Sequence, residues 1–315
     1  MKKIMIVGGA GYIGGYLTDL LSQDNQVFVY DNLLYENMYL KEVPFKNGDI
    51  RDTEKLTDTI VSFGPDVIIW LAALVGDGAC QIDPDKTNRI NYSCVKWLCD
   101  HYDGKIVFTS TCSVYGANNE LITEEASPSP LSLYASTKLK AEQYLLDNHS
   151  NCLVFRLGTL FGLSDTYSRI RLDLVANILT LKAVNGDGLS VFGGEQWRPL
   201  LHVRDVSTAI LHGITNDIIG LYNLHYENYT IKQLAEIIIE NVSPESIINY
   251  TDMSFEDLRN YKVSSDLYRN TGWSPSYDLH EGISELAKVL SENRVKDPTN
   301  TVYSNVAFLK ENSID

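Results

Sequence analysis

The stretch KIMIVGGAGYIGG, residues 3–15, leaves little freedom in how this chain can begin. Its short apolar run reads as a buried strand, and the glycines after it sit where the chain turns straight into the apolar-periodic stretch 12–22. Gly8, Gly11 and Gly14 are spaced as in a strand-to-helix turn wrapped around a pyrophosphate. Glycine there permits positive φ, close backbone approach and tight helix–strand packing. A glycine cluster alone is weak evidence, but the second apolar run, QVFVYD, ends in Asp31, seventeen residues past Gly14. A carboxylate at that place can accept both hydroxyls of an adenosine ribose. No Lys or Arg occurs from Asp31 to Leu40 to receive a 2′-phosphate, so the cofactor expected is NAD rather than NADP.

Apolar runs without alternation at 3–7, 26–31, 65–73, 105–110 and 152–158 are separated by amphipathic stretches at 12–22, 53–63, 84–102 and 133–148. That rhythm predicts an α/β fold: a Rossmann-like, doubly wound parallel sheet with right-handed crossovers. After about residue 163 it loosens. An Arg-, Asp- and Leu-rich segment (168–184) leads into the turn-prone NGDGLSVFGGEQWRP, and 230–293 reads as helical with few strands. At 315 residues the chain exceeds what one core usually supports. We therefore expect an NAD-binding Rossmann domain at 1–163, with strands returning near 200–230. A smaller, mainly helical substrate lobe is expected at 164–315. The last twenty residues are polar and are expected to be loosely held.

With 44% apolar and 21% charged residues the composition is that of an ordinary soluble protein. The net charge of −15 opposes nucleic-acid binding, which needs lysine and arginine spread along phosphates. It leaves room for a small anion gripped by a few arginines. The five cysteines form no CxxC pair and read as reduced thiols, with neither disulfide framework nor metal site expected. The apolar run at the N-terminus is too short for a signal peptide, and no run approaches a membrane span. The expected location is the cytoplasm.

Two further stretches carry the chemistry: FTSTCSVYG (108–116) and YASTK (134–138). Tyr134 and Lys138 are four residues apart and share one helix face. A phenol is a poor base at neutral pH unless a cation favours its ionised form. An ammonium beside it and the positive charge of an oxidised nicotinamide would do so, and Lys138 could also bind the cofactor's ribose. Thr111, after the strand KIVFTS, would hydrogen-bond the substrate oxygen being oxidised or reduced. One group holds an alcohol, one takes its proton and one tunes the second.

In these stretches the chain resembles the extended short-chain dehydrogenase/reductases, specifically the NAD-dependent nucleotide-sugar epimerase/dehydratase family. The likeness spans roughly residues 3–290. It rests on GGAGYIG, GDIRD, LAALVGDGAC, STCSVYG, YASTK, RLGTLFG, WRPLLHVRDV and TGWSPSYDLHEGI. It implies Gly8, Gly11, Tyr12, Ile13 and Gly14 at the pyrophosphate, and Asp31 with Asn32 at the adenosine ribose. Asp49 and Ile50 would flank the adenine, Leu71, Ala72 and Ala73 would line the cofactor's path, and Asn91 would lie on the nicotinamide side. Thr111, Tyr134 and Lys138 would be catalytic. Arg198 would clamp the diphosphate of a nucleotide-diphosphate sugar, with Arg171 and Asn177 towards the nucleotide end. A homodimer through the helices near 86–102 and 133–148 is also implied.

The departures narrow the reaction. Trp70 replaces a histidine common in the family, a packing change, and Thr159 stands where sugar 4-epimerases often have asparagine. Sugar 4,6-dehydratases carry an Asp-Glu pair after the threonine, whereas this chain has Cys112 and Ser113. Neither supplies that acid/base pair, so dehydration is disfavoured and Cys112 reads as a small buried filler. Chemistry at one carbinol carbon remains: C4 of a sugar, as a 4-epimerase, a 4-dehydrogenase or, in reverse, a 4-keto reductase. GDGAC and STCSVYG resemble stretches of bacterial surface-polysaccharide enzymes, with GDP-heptose in capsule synthesis as the narrower substrate expectation. The rival reading is a catalytically silent NAD-binding regulator, which would usually lack the tyrosine or the lysine.

Overall fold

The computed structural model describes residues 1–251 and 259–312. In chain order its strands begin with β1 (Lys3–Val7), β2 (Gln26–Asp31), β3 (Phe45–Asn47), β4 (Val67–Trp70), β5 (Lys105–Thr111), β6 (Ala117–Ile122) and β7 (Cys152–Leu157). They continue with β8 (Thr159–Phe161), β9 (Leu189–Phe192), β10 (Trp197–His202), β11 (Gly220–Leu224), β12 (Glu227–Thr230), β13 (Ile248–Thr251) and β14 (Asn260–Val263). Seven form one sheet in the order β11-β7-β5-β4-β1-β2-β3, with every pairing parallel. The order reverses at β1, between β2 and β4, and a crevice opens beyond the strand ends at such a point.

The apolar runs lack alternation because both faces of this sheet are covered. Ile4, Ile6, Val29, Ile69, Val107 and Phe155 fill one core with the helices Gly14–Ser22 and Val203–Thr215. Met5, Val7, Ile68, Trp70, Phe108 and Val154 fill the other, against Thr53–Phe63, Cys94–His101 and Leu133–Asn148. The stretch expected as one helix over 84–102 is α-helical at Pro84–Asn88, widens to a π-turn at Arg89–Ser93 and resumes at Cys94–His101. Trp70 is a fully buried core residue. All five cysteines are free and buried. No helix among the described residues is long and apolar enough to cross a membrane.

β11 forms one edge of the large sheet, beside β7. The second half is less helical than expected, for it also holds sheets β12-β10-β8, β13-β9 and β14-β6. Most of these strands have three or four residues, too few to show a period of two in the sequence. Residues 252–258, inside the stretch read as helical, lie outside the described residues. The late motifs WRPLLHVRDV and SPSYD meet at Asp205, whose buried carboxylate accepts the N–H groups of Ser276 at 2.8 Å and Tyr277 at 3.1 Å.

The C-terminal segment corrects the sequence reading, because it is held rather than loose. Asn305, buried at the start of the helix Asn305–Glu311, donates its side-chain amide to Val75 O at 2.8 Å. Arg169 donates to Val302 O and Asn305 Oδ1, and Phe308 packs on Tyr35 with ring centroids 5.0 Å apart. Polar composition hid these contacts because the hydrogen bonds come from the polar side chains of Asn305 and Arg169 to partners far off in sequence. Residues 313–315 lie outside the described residues.

Beneath the end of β5 lies a buried ion pair. Arg156 Nε donates to both carboxylate oxygens of Glu142, at 3.0 and 3.1 Å, and Arg156 Nη1 donates to Tyr115 Oη at 2.7 Å. The two side chains are 4% and 1% exposed. Removing one partner strands a charge in the core, so Glu142→Ala should lose about 3–5 kcal/mol of stability in denaturant unfolding. A loss below about 1 kcal/mol would show that the guanidinium has found another partner.

Candidate active site

The glycine turn lies at the point where the sheet order reverses. Gly8 has φ +86°, and a Cβ there would lie 2.4 Å from Ala72 N, so only glycine fits. A Cβ on Gly14 would lie 2.3 Å from Gly9 O, which joins turn to helix at close range. Gly11 differs, since its nearest obstacle would be Gly8 O at 3.4 Å, an ordinary contact. The protein itself does not require glycine there, whereas a ligand resting on the turn would. Tyr12 turns its side chain inward, donating to Gly162 O at 2.5 Å, so only its backbone can face a pyrophosphate. The side chain of Ile13 packs against the first core.

Asp31 closes the turn from β2. One carboxylate oxygen accepts Ala10 N–H at 3.0 Å and the other Leu33 N–H at 2.7 Å. Each keeps a lone pair for a ribose hydroxyl. Asn32 reaches towards Asp49, whose carboxylate accepts Arg51 Nε at 3.0 Å and Nη2 at 2.9 Å. Burial works against the charge of Asp49, but these Arg51 bonds prevail and hold its carboxyl below the ordinary range. Ile50 beside it is buried. The first cation beyond Leu40, Lys41, is committed to Asp19 at 2.7 Å and to Asp165. A 2′-phosphate therefore still finds no obvious partner, and these residues fit NAD.

Leu71, Ala72 and Ala73 follow β4 as half-buried backbone beside Gly8. Asn91, on the π-turn, spends its amide on this loop: its Oδ1 accepts Leu74 N–H at 2.8 Å and its Nδ2 donates to Leu74 O at 2.9 Å. It shapes the wall on which the short helix Asp77–Cys80 hangs, so a direct cofactor contact by its side chain is not what the geometry offers. π-turns of this kind are frequent at functional sites.

Thr111 ends β5, and its hydroxyl caps the following 3₁₀ turn by accepting Ser113 N–H at 3.1 Å. Tyr134 and Lys138 lie on the helix Leu133–Asn148, which Ser132 caps through Ala135 N–H. Lys138 is 2% exposed, with Nζ 4.1 Å from the centre of the Phe108 ring on β5. Burial lowers its pKa to about 7. Burial also pushes the Tyr134 phenol well above its ordinary range, Cys80 adds to this, and Arg171 pulls it back. Arg171, from the second half of the chain, is thus a cation that favours the ionised phenol. Cys112 is fully buried, with its thiol donating to Arg156 O at 3.2 Å, a filler as expected.

The candidates for the nucleotide end separate. Arg171 is tied to Asp173 at 2.6 and 3.0 Å. Asn177 spends its amide on Gly162 N–H at 3.0 Å and Arg171 O at 2.8 Å, so it positions Arg171 and has little left for a ligand. Arg198 is 5% exposed and donates Nη1 to Trp197 O and Arg259 O at 2.8 and 2.6 Å. Sequence reasoning missed two residues here, Arg259 and Tyr261. Arg259 pairs with Asp77 at 3.1 Å, and Tyr261 lies below Arg198 with its ring centre 5.9 Å from the guanidinium carbon. They follow a stretch without periodicity, and only the phenol's burial marks them.

Two measurements probe this geometry. Gly8→Ala should lower the thermal midpoint by several degrees, whereas Gly11→Ala should keep it and weaken NAD binding about tenfold or more by fluorescence titration. Equal behaviour of the two variants would remove the ligand argument. For Lys138, the unfolded chain holds its proton to about pH 10.5 and the folded site releases it near 7. Unfolding therefore takes up a proton between these values, and this residue makes stability rise with pH across that window. Lys138→Met should be stabilising near pH 7, with an advantage over wild type that shrinks towards pH 10; a pH-independent difference would contradict the lowered pKa.

The family model described as NAD dependent epimerase/dehydratase family matches residues 4–227. A UDP-glucose 4-epimerase of Halalkalibacterium halodurans is 28% identical over 313 residues, covering 90% of this chain and 94% of that protein. Among solved structures, the Thermus thermophilus UDP-glucose 4-epimerase complex with NAD is 25% identical, with TM-score 0.78 over 91% of this chain and 98% of that one. A UDP-glucose 4-epimerase of Thermotoga maritima is similar in fold, with TM-score 0.82 at 24% identity over 93% of this chain and 99% of that one. With a family match over most of its length and a Gly8–Asp31 site fitted to the dinucleotide, this chain belongs to the NAD-dependent epimerase/dehydratase family and is an enzyme that uses NAD.

Proposed function

We propose that the enzyme oxidises or reduces C4 of a nucleotide-linked sugar through a 4-keto product or intermediate, as a 4-epimerase or 4-dehydrogenase. The carrying observation is that Tyr134 and Lys138 lie on one helix face in a dry site, with Lys138 against β5, the strand that ends in Thr111. In this reading the Thr111 hydroxyl holds the C4 oxygen and Tyr134 takes its proton. Lys138 donates to the cofactor's ribose, and Arg171 favours the ionised phenol. NAD, held at the Gly8 turn and Asp31, would supply hydride acceptance and return at C4. Arg198 and Arg259 grip the diphosphate, since planar guanidinium groups meet phosphate oxygens in pairs. Dehydration remains disfavoured because the Cys112 thiol is buried, engaged and pushed up by burial.

The relatives named UDP-glucose 4-epimerase support a sugar linked to a nucleoside diphosphate as the substrate class. GDP-heptose is the narrower proposal and rests on the GDGAC and STCSVYG stretches alone. A homodimer through 86–102 and 133–148 is proposed on the same family likeness. The test is incubation with UDP-, GDP-, CDP- and dTDP-sugars, GDP-heptose included, followed by absorbance at the reduced-nicotinamide band and by NMR of the sugar. We expect turnover with at least one, and Tyr134→Phe should lose about 10³-fold or more in rate while still binding NAD. A full rate from Tyr134→Phe would favour the silent regulator or another base.

A further inference from the structure

Residues 301–311 are fastened to parts of the chain far away in sequence. The turn Thr301–Tyr303 leads through the cap Ser304 into the helix Asn305–Glu311. Asn305 is 2% exposed, and both ends of its side-chain amide are engaged. Its Nδ2 donates to Val75 O at 2.8 Å and its Oδ1 accepts Arg169 Nη2 at 2.7 Å, while its backbone N–H donates to Asp173 Oδ2 at 2.9 Å. Val306 sits over Gly78, where a Cβ would lie 3.2 Å from its Cγ2. Phe308 packs on Tyr35 at 5.0 Å, and the Arg169 guanidinium carbon lies 4.0 Å from the centre of that same ring.

These partners define a place. Tyr35 belongs to the loop that leaves β2, and Val75 and Gly78 belong to the loop that leaves β4. β2 and β4 flank β1, and all three strands run parallel. Both loops therefore leave the sheet at the same edge as the Gly8 turn, one on each side of it. A segment tied to both crosses the crevice that opens there. A helix of seven residues has little stability of its own in water, so these contacts hold it in place.

We infer that residues 303–308 form a strap across the mouth of the dinucleotide crevice, fastened by Asn305 and Phe308, which must lift before NAD enters or leaves. The strap acts on the cofactor's path alone and does not depend on the C4 assignment. Its fastenings run from protein to protein, so it is shut to the same degree on either side of the binding event. A gate of that kind slows entry and exit alike and leaves the affinity nearly unchanged. A residue that gripped the cofactor directly would instead change the exit rate and the affinity together.

Stopped-flow fluorescence of NADH binding, and of its displacement by excess NAD, reads both rates. Asn305→Ala removes both side-chain hydrogen bonds and should raise entry and exit about tenfold each, with Kd changed less than about threefold. Phe308→Ala loosens the other fastening and should do the same more mildly, and it serves alone should Asn305→Ala fail to fold. The paired variant Gly78→Cys, Val306→Cys places two thiols at disulfide distance. The chain's own cysteines are all buried and leave this pair without competitors. Oxidised, it should slow entry and exit at least tenfold, and a reductant should restore them. Unchanged rates in Phe308→Ala together with wild-type rates in the oxidised pair overturn the inference. So does a faster exit at unchanged entry, which would make these residues direct cofactor contacts.

Discussion

The site begins with a backbone crossing. Val7 O accepts two consecutive N–H groups, from Leu71 at 2.8 Å and Ala72 at 3.0 Å, and so draws the chain leaving β4 across Gly8. That passage has no room for a side chain. From it the rest of the wall follows. Leu71 to Ala73 become one rim of the crevice, the Asn91 amide seizes Leu74 just beyond, and the helix Asp77–Cys80 is hung where its thiol acts on Tyr134. On the other side Asp31 fixes the turn by taking Ala10 N–H. A dinucleotide site is thus made from main chain, and its position follows from sheet order rather than from any one side chain.

Dryness is the second constraint, and it acts in opposite senses on the two titratable groups. Burial raises the Tyr134 phenol and lowers the Lys138 amine, so both are pushed towards neutrality. Charge persists nearby where it is paired, as in Arg156 with Glu142 and Arg171 with Asp173. Phenolate formation at Tyr134 therefore depends on cations brought close in a medium where they count for more than in water. Arg171, itself anchored by Asp173 and through Asn177, is such a cation already in place.

Much of this was legible in the chain. β1, β2 and the helices at 53–63 and 133–148 could be read to the residue, because strands covered on both faces and capped helices write strong patterns. The second half was read poorly for a physical reason: strands such as Thr159–Phe161 and Ile248–Thr251 are too short to repeat, and they draw their hydrogen bonds from distant segments. Candidate residues were found by type more readily than by duty. Asn91 and Asn177 stand near the site but spend their amides on the backbone, which no spacing announces. The tail was misread because its anchors, Asn305 and Arg169, look like surface residues until a carbonyl is placed opposite them.

The second half of the molecule also reaches the site through the strand β14. Asn260, at the start of β14, accepts Trp197 N–H at 2.9 Å and donates to Asn119 Oδ1 at 2.7 Å, which ties β10 to the β6 segment. That tie sets the register of the residues on either side. Arg259 falls opposite Asp77, Tyr261 falls on Ser113, and Arg198 rests between the Arg259 carbonyl and the Tyr261 ring. A one-residue slip would reverse which side chains of β14 face inward and would exchange Tyr261 for Lys262 or Asn260. The guanidinium of Arg198, the Arg259–Asp77 pair and the phenol that meets Ser113 are therefore placed by the same hydrogen bonds, so the two ends of this wall are parts of one piece of geometry.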